Sequence, residues 1–209
     1  MAFKRNGYGQ VEPNQLSAQK TGQIYASLPL ASDVDILQNG EFMYYDYKSG
    51  TVTADGVGEP MLVFNEVKLY EPFWQTSYKD FAMIRVGDNY VTSRLATAGY
   101  GDGAETEGVT PNPGHSDWQA GYRMDGIAPR LFKTNVGDIF TTNMVETGDE
   151  ITYAQGDTLK LKKVPKAADK TGNTLVLSKT GNIDALEFVV AKVYTMPDGQ
   201  PGLKLQRIK

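Results

Sequence analysis

Short segments in which apolar and polar residues alternate fill the C-terminal part of the chain. Three Gly-Asp steps divide these segments, at Gly137-Asp138, Gly148-Asp149 and Gly156-Asp157. The candidate strands that follow them cover residues 139–145, 151–154 and 159–164. Closely spaced turns with a period of two between them are typical of an antiparallel barrel or sandwich. The pattern therefore predicts an all-β fold.

The same pattern extends in both directions along the chain. Towards the C-terminus it predicts a strand over 174–177 and a wide hairpin in which 186–195 and 203–208 flank the turn at 196–202. Nearer the N-terminus it predicts strands over 41–47, 51–53, 61–64 and 66–70. Gly87-Asp88 predicts a tight hairpin turn between 81–86 and 89–94, because glycine tolerates positive φ.

The composition of successive segments divides the chain into four parts. Residues 33–97 form a first predicted β block and 127–209 a second, barrel-like block; the Gly-, Pro- and acid-rich loop region 98–126 separates them. Residues 1–32 are polar and rich in Gly, Gln and Asn, which predicts an extended N-terminal arm with one helical turn near 16–20. Two interpretations of the arm are open: a disordered terminus, or an arm ordered by a neighbouring subunit.

Composition excludes several classes of function. The 209 residues are 40% hydrophobic, enough for a core, and carry a formal net charge of -4 without a basic cluster, which argues against nucleic acid as a partner. No apolar run is long enough to span a bilayer, so we expect no membrane partner. The chain has no cysteine and a single histidine, which excludes thiol nucleophiles, cysteine zinc sites and any scheme with two imidazoles.

For each candidate catalytic or metal-binding residue, a non-functional role is the better interpretation. His115 is followed directly by Ser116 and Asp117, but triad residues converge from separate elements, so a surface histidine is the better interpretation. The acidic positions Asp102, Glu105 and Glu107 lack the ligand spacing of a calcium loop. We therefore predict no catalytic residue, no metal ligand and no cofactor.

Three phrases of the sequence carry a family resemblance. They are Met1–Gln10, Leu37–Asp46 and Val136–Asn143. In these phrases and in its layout the chain resembles virion structural proteins of tailed bacteriophages, in particular the β-rich proteins that decorate or cement the capsid. The resemblance implies a non-enzymatic protein, made in the host cytoplasm, that binds the major capsid protein on the head surface. It also implies a homo-oligomer, often a trimer.

The resulting prediction is a capsid decoration, cement or minor head protein. One alternative is a tail, fibre or receptor-type β domain that recognises glycans through exposed aromatic residues; a carbohydrate hydrolase ranks third, because no acid/base pair is identifiable. Apolar and aromatic residues of the arm and of the segments outside regular alternation form the predicted partner interface. They are Phe3, Tyr8, Ile24, Tyr25, Leu28, Phe73, Trp74 and Trp118.

Overall fold

A computed structural model describes residues 3–5, 9–31, 33–34, 36–64, 83–85, 129–166, 172–197 and 199–209. Within these ranges the fold is all-β, as predicted, and its main element is a curled antiparallel sheet that forms a half-barrel. One helix, α1, covers Ala18–Thr21, at the position where the sequence predicts a helical turn.

The described residues contain thirteen strands. They are β1 Val11–Gln15, β2 Ile24–Tyr25, β3 Ile36–Gln38, β4 Phe42–Asp46, β5 Thr51–Thr53, β6 Met61–Val63, β7 Met83–Arg85, β8 Leu131–Phe132, β9 Ile139–Thr142, β10 Thr158–Pro165, β11 Asn173–Ser178, β12 Ile183–Thr195 and β13 Pro201–Arg207. The large sheet has the order β1-β9-β13-β12-β10-β11-β4-β6-β8-β2, with β5 attached to β4, whereas β3 and β7 pair separately.

The C-terminal strands follow their predicted pattern closely. β12 and β13 form the predicted wide hairpin, with Val193 opposite Leu203 and Thr195 opposite Pro201. β10 pairs with β11 on one side and β12 on the other. Gly137 and Gly156 both have positive φ, of 96° and 90°, as the Gly-Asp turns require.

One predicted strand of this region is wrong. Residues 151–154 are not a strand, because their backbone groups bond to the flanking turns and to the N-terminal segment instead of to a neighbouring strand. The Ala154 amide donates to the Asp157 carboxylate at 2.7 Å, and the Ile151 carbonyl accepts from the Phe3 amide at 3.0 Å.

The N-terminal segment differs from the predicted extended arm. β1 pairs with β9 at one end of the sheet and β2 pairs with β8 at the other, so residues 11–25 supply both terminal strands. Leu16 and Ala18, which lie between these two strands, are fully buried. The sequence hid this role, because β1 is mostly polar and β2 is only two residues long. We call residues 3–5 and 9–25 the clasp.

The two predicted β blocks share one sheet. β4 of the first block pairs with β11 of the second through Phe42 and Leu175, and β6 pairs with β8 through Leu62 and Phe132. The Phe64 amide also donates to the Arg130 carbonyl at 3.1 Å. The chain between β6 and β8 therefore leaves and re-enters the sheet at one place. The predicted loop 98–126 and most of the hairpin around Gly87-Asp88 lie outside the described residues.

Aromatic side chains form the centre of the main core. Phe42, Phe140 and Phe188 are completely buried, and their ring centroids lie 5.5–6.1 Å apart in tilted and edge-to-face arrangements. Such contacts stabilise a core beyond the burial of area alone. Since the three rings come from β4, β9 and β12, this contact joins both predicted blocks.

Candidate partner-binding surface

The structure places four of the eight predicted interface residues, and all four contact the protein's own core. Phe3 is buried and packs edge-to-face on Tyr153, with 5.5 Å between the ring centroids. Ile24 packs against the main core, while Tyr25 and Leu28 pack against a second cluster around Leu37 and Val63. Tyr8, Phe73, Trp74 and Trp118 lie outside the described residues.

The two ends of the sheet meet at a polar seam, which we define as Ser17, Gln23, Asn135 and Asp138. The Asn135 side-chain amide donates to Ser17 Oγ at 2.7 Å and to Gln23 Oε1 at 3.1 Å. The buried Asp138 carboxylate accepts three hydrogen bonds. The donors are the Ser17 backbone amide at 3.1 Å, Ser17 Oγ at 2.9 Å and the Asn135 backbone amide at 2.9 Å. The first Gly-Asp turn therefore fixes the start of α1, which closes the half-barrel.

Arg207 braces the same end of the half-barrel from β13. Its Nη1 donates to Glu59 Oε1 at 2.6 Å and to the carbonyl oxygen of Thr134, and its Nε donates to the Lys209 carbonyl at 2.7 Å. Because the guanidinium is largely buried and has acceptors on three segments, it joins the C-terminus to the loops before β6 and after β8.

The first residues of the clasp dock at the opposite end of β1. The Gln10 amide donates to Asn143 Oδ1 at 2.7 Å and the Gly9 amide to Gln38 Oε1 at 2.5 Å. A Cβ atom on Gly9 would lie 2.5 Å from the Asn39 carbonyl oxygen and 2.7 Å from Met144 Sδ. Only glycine allows this approach, so the sequence of the clasp is fitted to its docking site.

A buried ion pair lies beside this docking site. Lys166 Nζ donates to both carboxylate oxygens of Glu41, at 2.9 and 2.8 Å, and the two side chains are only 4% and 2% exposed. Arg5 also interacts electrostatically with Glu41. Burial lowers the pKa of the Arg5 guanidinium, and the negative charge of Glu41 opposes that shift. The pair thus joins the loop after β3 to the end of β10 across 125 positions of sequence.

Charged side chains on β10 and its neighbours are paired with carboxylates. Lys160 bonds to Asp184 at 2.7 Å, Lys162 to Glu146 at 2.5 Å, and Lys163 to Asp55. Lys179, on the loop after β11, bonds to Asp157 at 2.7 Å. Of these four pairs, Lys160–Asp184 lies on the facing strands β10 and β12, and the other three have their carboxylates on loops or turns. Together the pairs reduce the free charge around β10.

Glu146 is the centre of one such group. It also accepts hydrogen bonds from Ser178 Oγ and, at 3.2 Å, from Thr180 Oγ1. Burial acts to raise its pKa, but the bonds from Lys162, Ser178 and Thr180 outweigh burial and lower it. Burial, with the nearby charges of Glu146 and Asp157, raises the pKa of Tyr153, whose hydroxyl donates to the Glu146 carbonyl at 2.8 Å. Ser178 is fully buried, so its hydroxyl is held inside this group by the bond to Glu146.

Among the described residues, large apolar side chains are exposed at several places, two of which involve more than a single side chain. Tyr47 is 75% exposed at the end of a row of rings, with centroid distances of 5.3 Å from Tyr47 to Tyr45 and 5.2 Å from Tyr45 to Tyr25. Val136 and Ile208 are exposed next to each other, because the Gly137 amide donates to the Arg207 carbonyl at 2.8 Å. These exposed residues can therefore take part in binding through apolar and aromatic surface contacts.

Neither of these exposed places is among the predicted interface residues. Tyr47 was available in the sequence as the last aromatic residue of the predicted strand 41–47, next to a turn. Val136 and Ile208 carry no comparable signal, because each is an isolated apolar residue among polar neighbours.

The described residues contain no group of three or more His, Cys, Asp or Glu side chains that could hold a metal ion. In that part of the chain no helix combines the length and the apolar character needed to cross a bilayer.

Comparisons with known proteins add no relative. No family model, no curated protein and no solved structure matches this chain.

Proposed function

We propose that this chain is a structural protein of a tailed-bacteriophage virion, a capsid decoration, cement or minor head protein that binds the major capsid protein and stabilises the head. The observation that carries the proposal is the clasp: a terminal segment that supplies both end strands of the sheet and is locked by the polar seam. Strand pairing by a terminal segment is a common way to join structural subunits. The family resemblance of the sequence supplies the choice of a virion.

The network of ion pairs supports a bracing role. A protein that stabilises a shell must itself resist deformation, and the bonds of Glu41, Glu146 and Arg207 each join segments that are distant in sequence. The formal net charge of -4 fits a position outside the shell, away from packaged nucleic acid.

The test compares particles assembled with and without this chain. We expect cryo-EM maps to differ on the outer surface of the head, and heads that lack the chain to release their contents at a lower temperature. A map difference confined to the tail, together with unchanged head stability, would refute the proposal. Binding of the purified chain to heads that lack it, measured by co-sedimentation, provides an independent readout.

A second candidate is a glycan- or receptor-binding module, and the exposed Tyr47 ring favours it. Aromatic faces at the surface stack on sugar rings, and Tyr47 lies next to the ring of Tyr45. Glycan-array binding that is lost in Tyr47→Ala but kept in Val57→Ala, an equally exposed control, would favour this candidate. Head binding that is unchanged in Tyr47→Ala would favour the first.

A further inference from the structure

The clasp docks mainly on one region of the chain. Its backbone and side-chain bonds go chiefly to β8, β9 and the residues that follow them, from Phe3 to Ile151, from Gln10 to Asn143 and from Ser17 to Asp138. Further contacts reach Gln38 and Tyr194. Residues 131–151 therefore form most of an acceptor for the clasp.

The acceptor is specific for this sequence. It provides two sheet edges at a fixed distance, a carboxylate at Asp138 for the start of α1, and apolar space for Phe3, Leu16 and Ala18. It also requires a residue without Cβ at Gly9. The occupant that the structure shows to fit is a segment with this sequence, and every copy of the chain carries one.

A short exposed link connects the clasp to the rest of the fold. Ala26 and Ser27 are exposed. The Ser27 amide donates to the Tyr45 hydroxyl at 2.9 Å and the Val52 amide donates to the Pro29 carbonyl at 2.8 Å, so the chain is held from Ser27 onwards and Ala26 is the link. A change of backbone direction at Ala26 would redirect the clasp without breaking either bond. Short links of this kind favour exchange between copies.

We infer that copies of this chain exchange clasps when they assemble, so that the clasp of one copy completes the half-barrel of a neighbour. The same bonds form in either arrangement, so exchange changes little in energy within a subunit and adds the interface between subunits. High local concentration then decides between the two arrangements. The inference draws on the proposed function only for the crowded setting, since the exchange itself needs no head.

The absence of cysteine makes a direct test available. Gln15 and Ile139 lie opposite each other across β1 and β9, and neither is buried, so Gln15→Cys and Ile139→Cys place two thiols at a separation that suits a disulfide. Lys192→Cys with Lys204→Cys is the matched control, because those positions face each other within the β12–β13 hairpin of one copy.

The oligomeric fraction of each double variant is oxidised under native conditions and run on a non-reducing denaturing gel. Exchange predicts that most of the 15/139 variant runs as covalent multimers while the 192/204 control runs as a monomer. In an oligomer mixed from the two single variants, exchange also predicts a band at twice the monomer mass. A short bis-maleimide reagent repeats the measurement where disulfide geometry is poor.

Internal cross-links alone in the 15/139 variant, or a chain that stays monomeric at every concentration tested, would overturn the inference. Neither result affects the proposed function, since a chain with its clasp docked internally can still bind heads. Loss of head binding with multimeric cross-links intact would refute the proposed function and leave the exchange standing.

Discussion

The β12–β13 hairpin is specified by residues close together in sequence, whereas the clasp is specified by contacts with residues distant in sequence. In the hairpin, alternating residues on both strands and one wide turn place partners such as Val193 and Leu203 close together in sequence. In the clasp, Ser17 bonds to Asp138 at a separation of 121 positions, and the two strands are short, with five and two residues. The hairpin is stabilised locally, whereas the clasp depends on a sheet that has already formed.

This difference predicts which part of the fold should unfold first. Regions with few buried apolar side chains and many exposed backbone bonds open at lower free energy than core strands. The two strands of the clasp lie at the ends of the sheet and are each paired on one side only, whereas β12 and β13 are paired on both sides and β12 supplies Leu186, Phe188 and Val190, all buried. We therefore expect the clasp to open without the hairpin, but not the reverse.

The largest effect should come from the hairpin side of the comparison. Phe188→Ala removes the ring that contacts Phe42 and Phe140, and the cavity should lower the free energy of unfolding by about 3–5 kcal/mol. Urea denaturation followed by circular dichroism measures this loss. The matched control on the same strand is Val193→Ala, whose half-exposed side chain should cost less than about 1 kcal/mol. Equal losses in the two variants would contradict the packing described for this core.

The buried ion pair should give the next largest effect. Glu41→Gln leaves Lys166 as a buried charge without its carboxylate, so the free energy of unfolding should fall by about 3 kcal/mol. The double variant Glu41→Gln with Lys166→Met removes the charge stranded on Lys166 and should recover part of that loss, since Arg5 still lacks the negative charge of Glu41. Thermal and urea unfolding of the three variants together test the pairing. A double variant no more stable than Glu41→Gln would show that the pair is not the source.

A smaller effect should appear at the seam, confined to the clasp. Asp138→Asn removes the charge from a carboxylate that accepts three hydrogen bonds, and should cost about 1–3 kcal/mol. Trypsin should then cut after Lys20, which is exposed on α1, faster than in the parent chain, while hydrogen exchange in β12 and β13 stays unchanged. Asp149→Asn, in an exposed Gly-Asp turn, is the control. Faster exchange in the hairpin would mean that clasp and hairpin open as one unit.

The smallest effect should be seen on mild acidification. Bonds to Lys179 and Lys160 lower the pKa of Asp157 and Asp184, and Glu146 is lowered from its reference value of 4.5 by its three hydrogen-bond donors against the effect of burial. These folded-state pKa values lie below the unfolded ones. The stabilisation is therefore complete above the unfolded values and is lost as the pH falls through the folded ones.

The urea midpoint measured at a series of pH values tests this expectation. It should decrease as the pH falls below the unfolded-state values, and Glu146→Gln should make that decrease shallower. Glu150→Gln, at an exposed position nearby, should leave the slope as it is. A midpoint that rises on acidification would contradict the assignment of these ion pairs.

Alternation and turn chemistry are enough to predict the all-β class, the Gly-Asp turns at Gly137 and Gly156, the helical turn at α1 and the β12–β13 hairpin. These features depend on residues within a few positions of one another, which a single sequence displays. Tertiary contacts place residues 11–25 at both ends of the sheet, Phe3 in the core and Glu41 beside Lys166. These contacts form because the curled sheet brings together residues that are distant in sequence, and a local sequence pattern carries no information on such contacts.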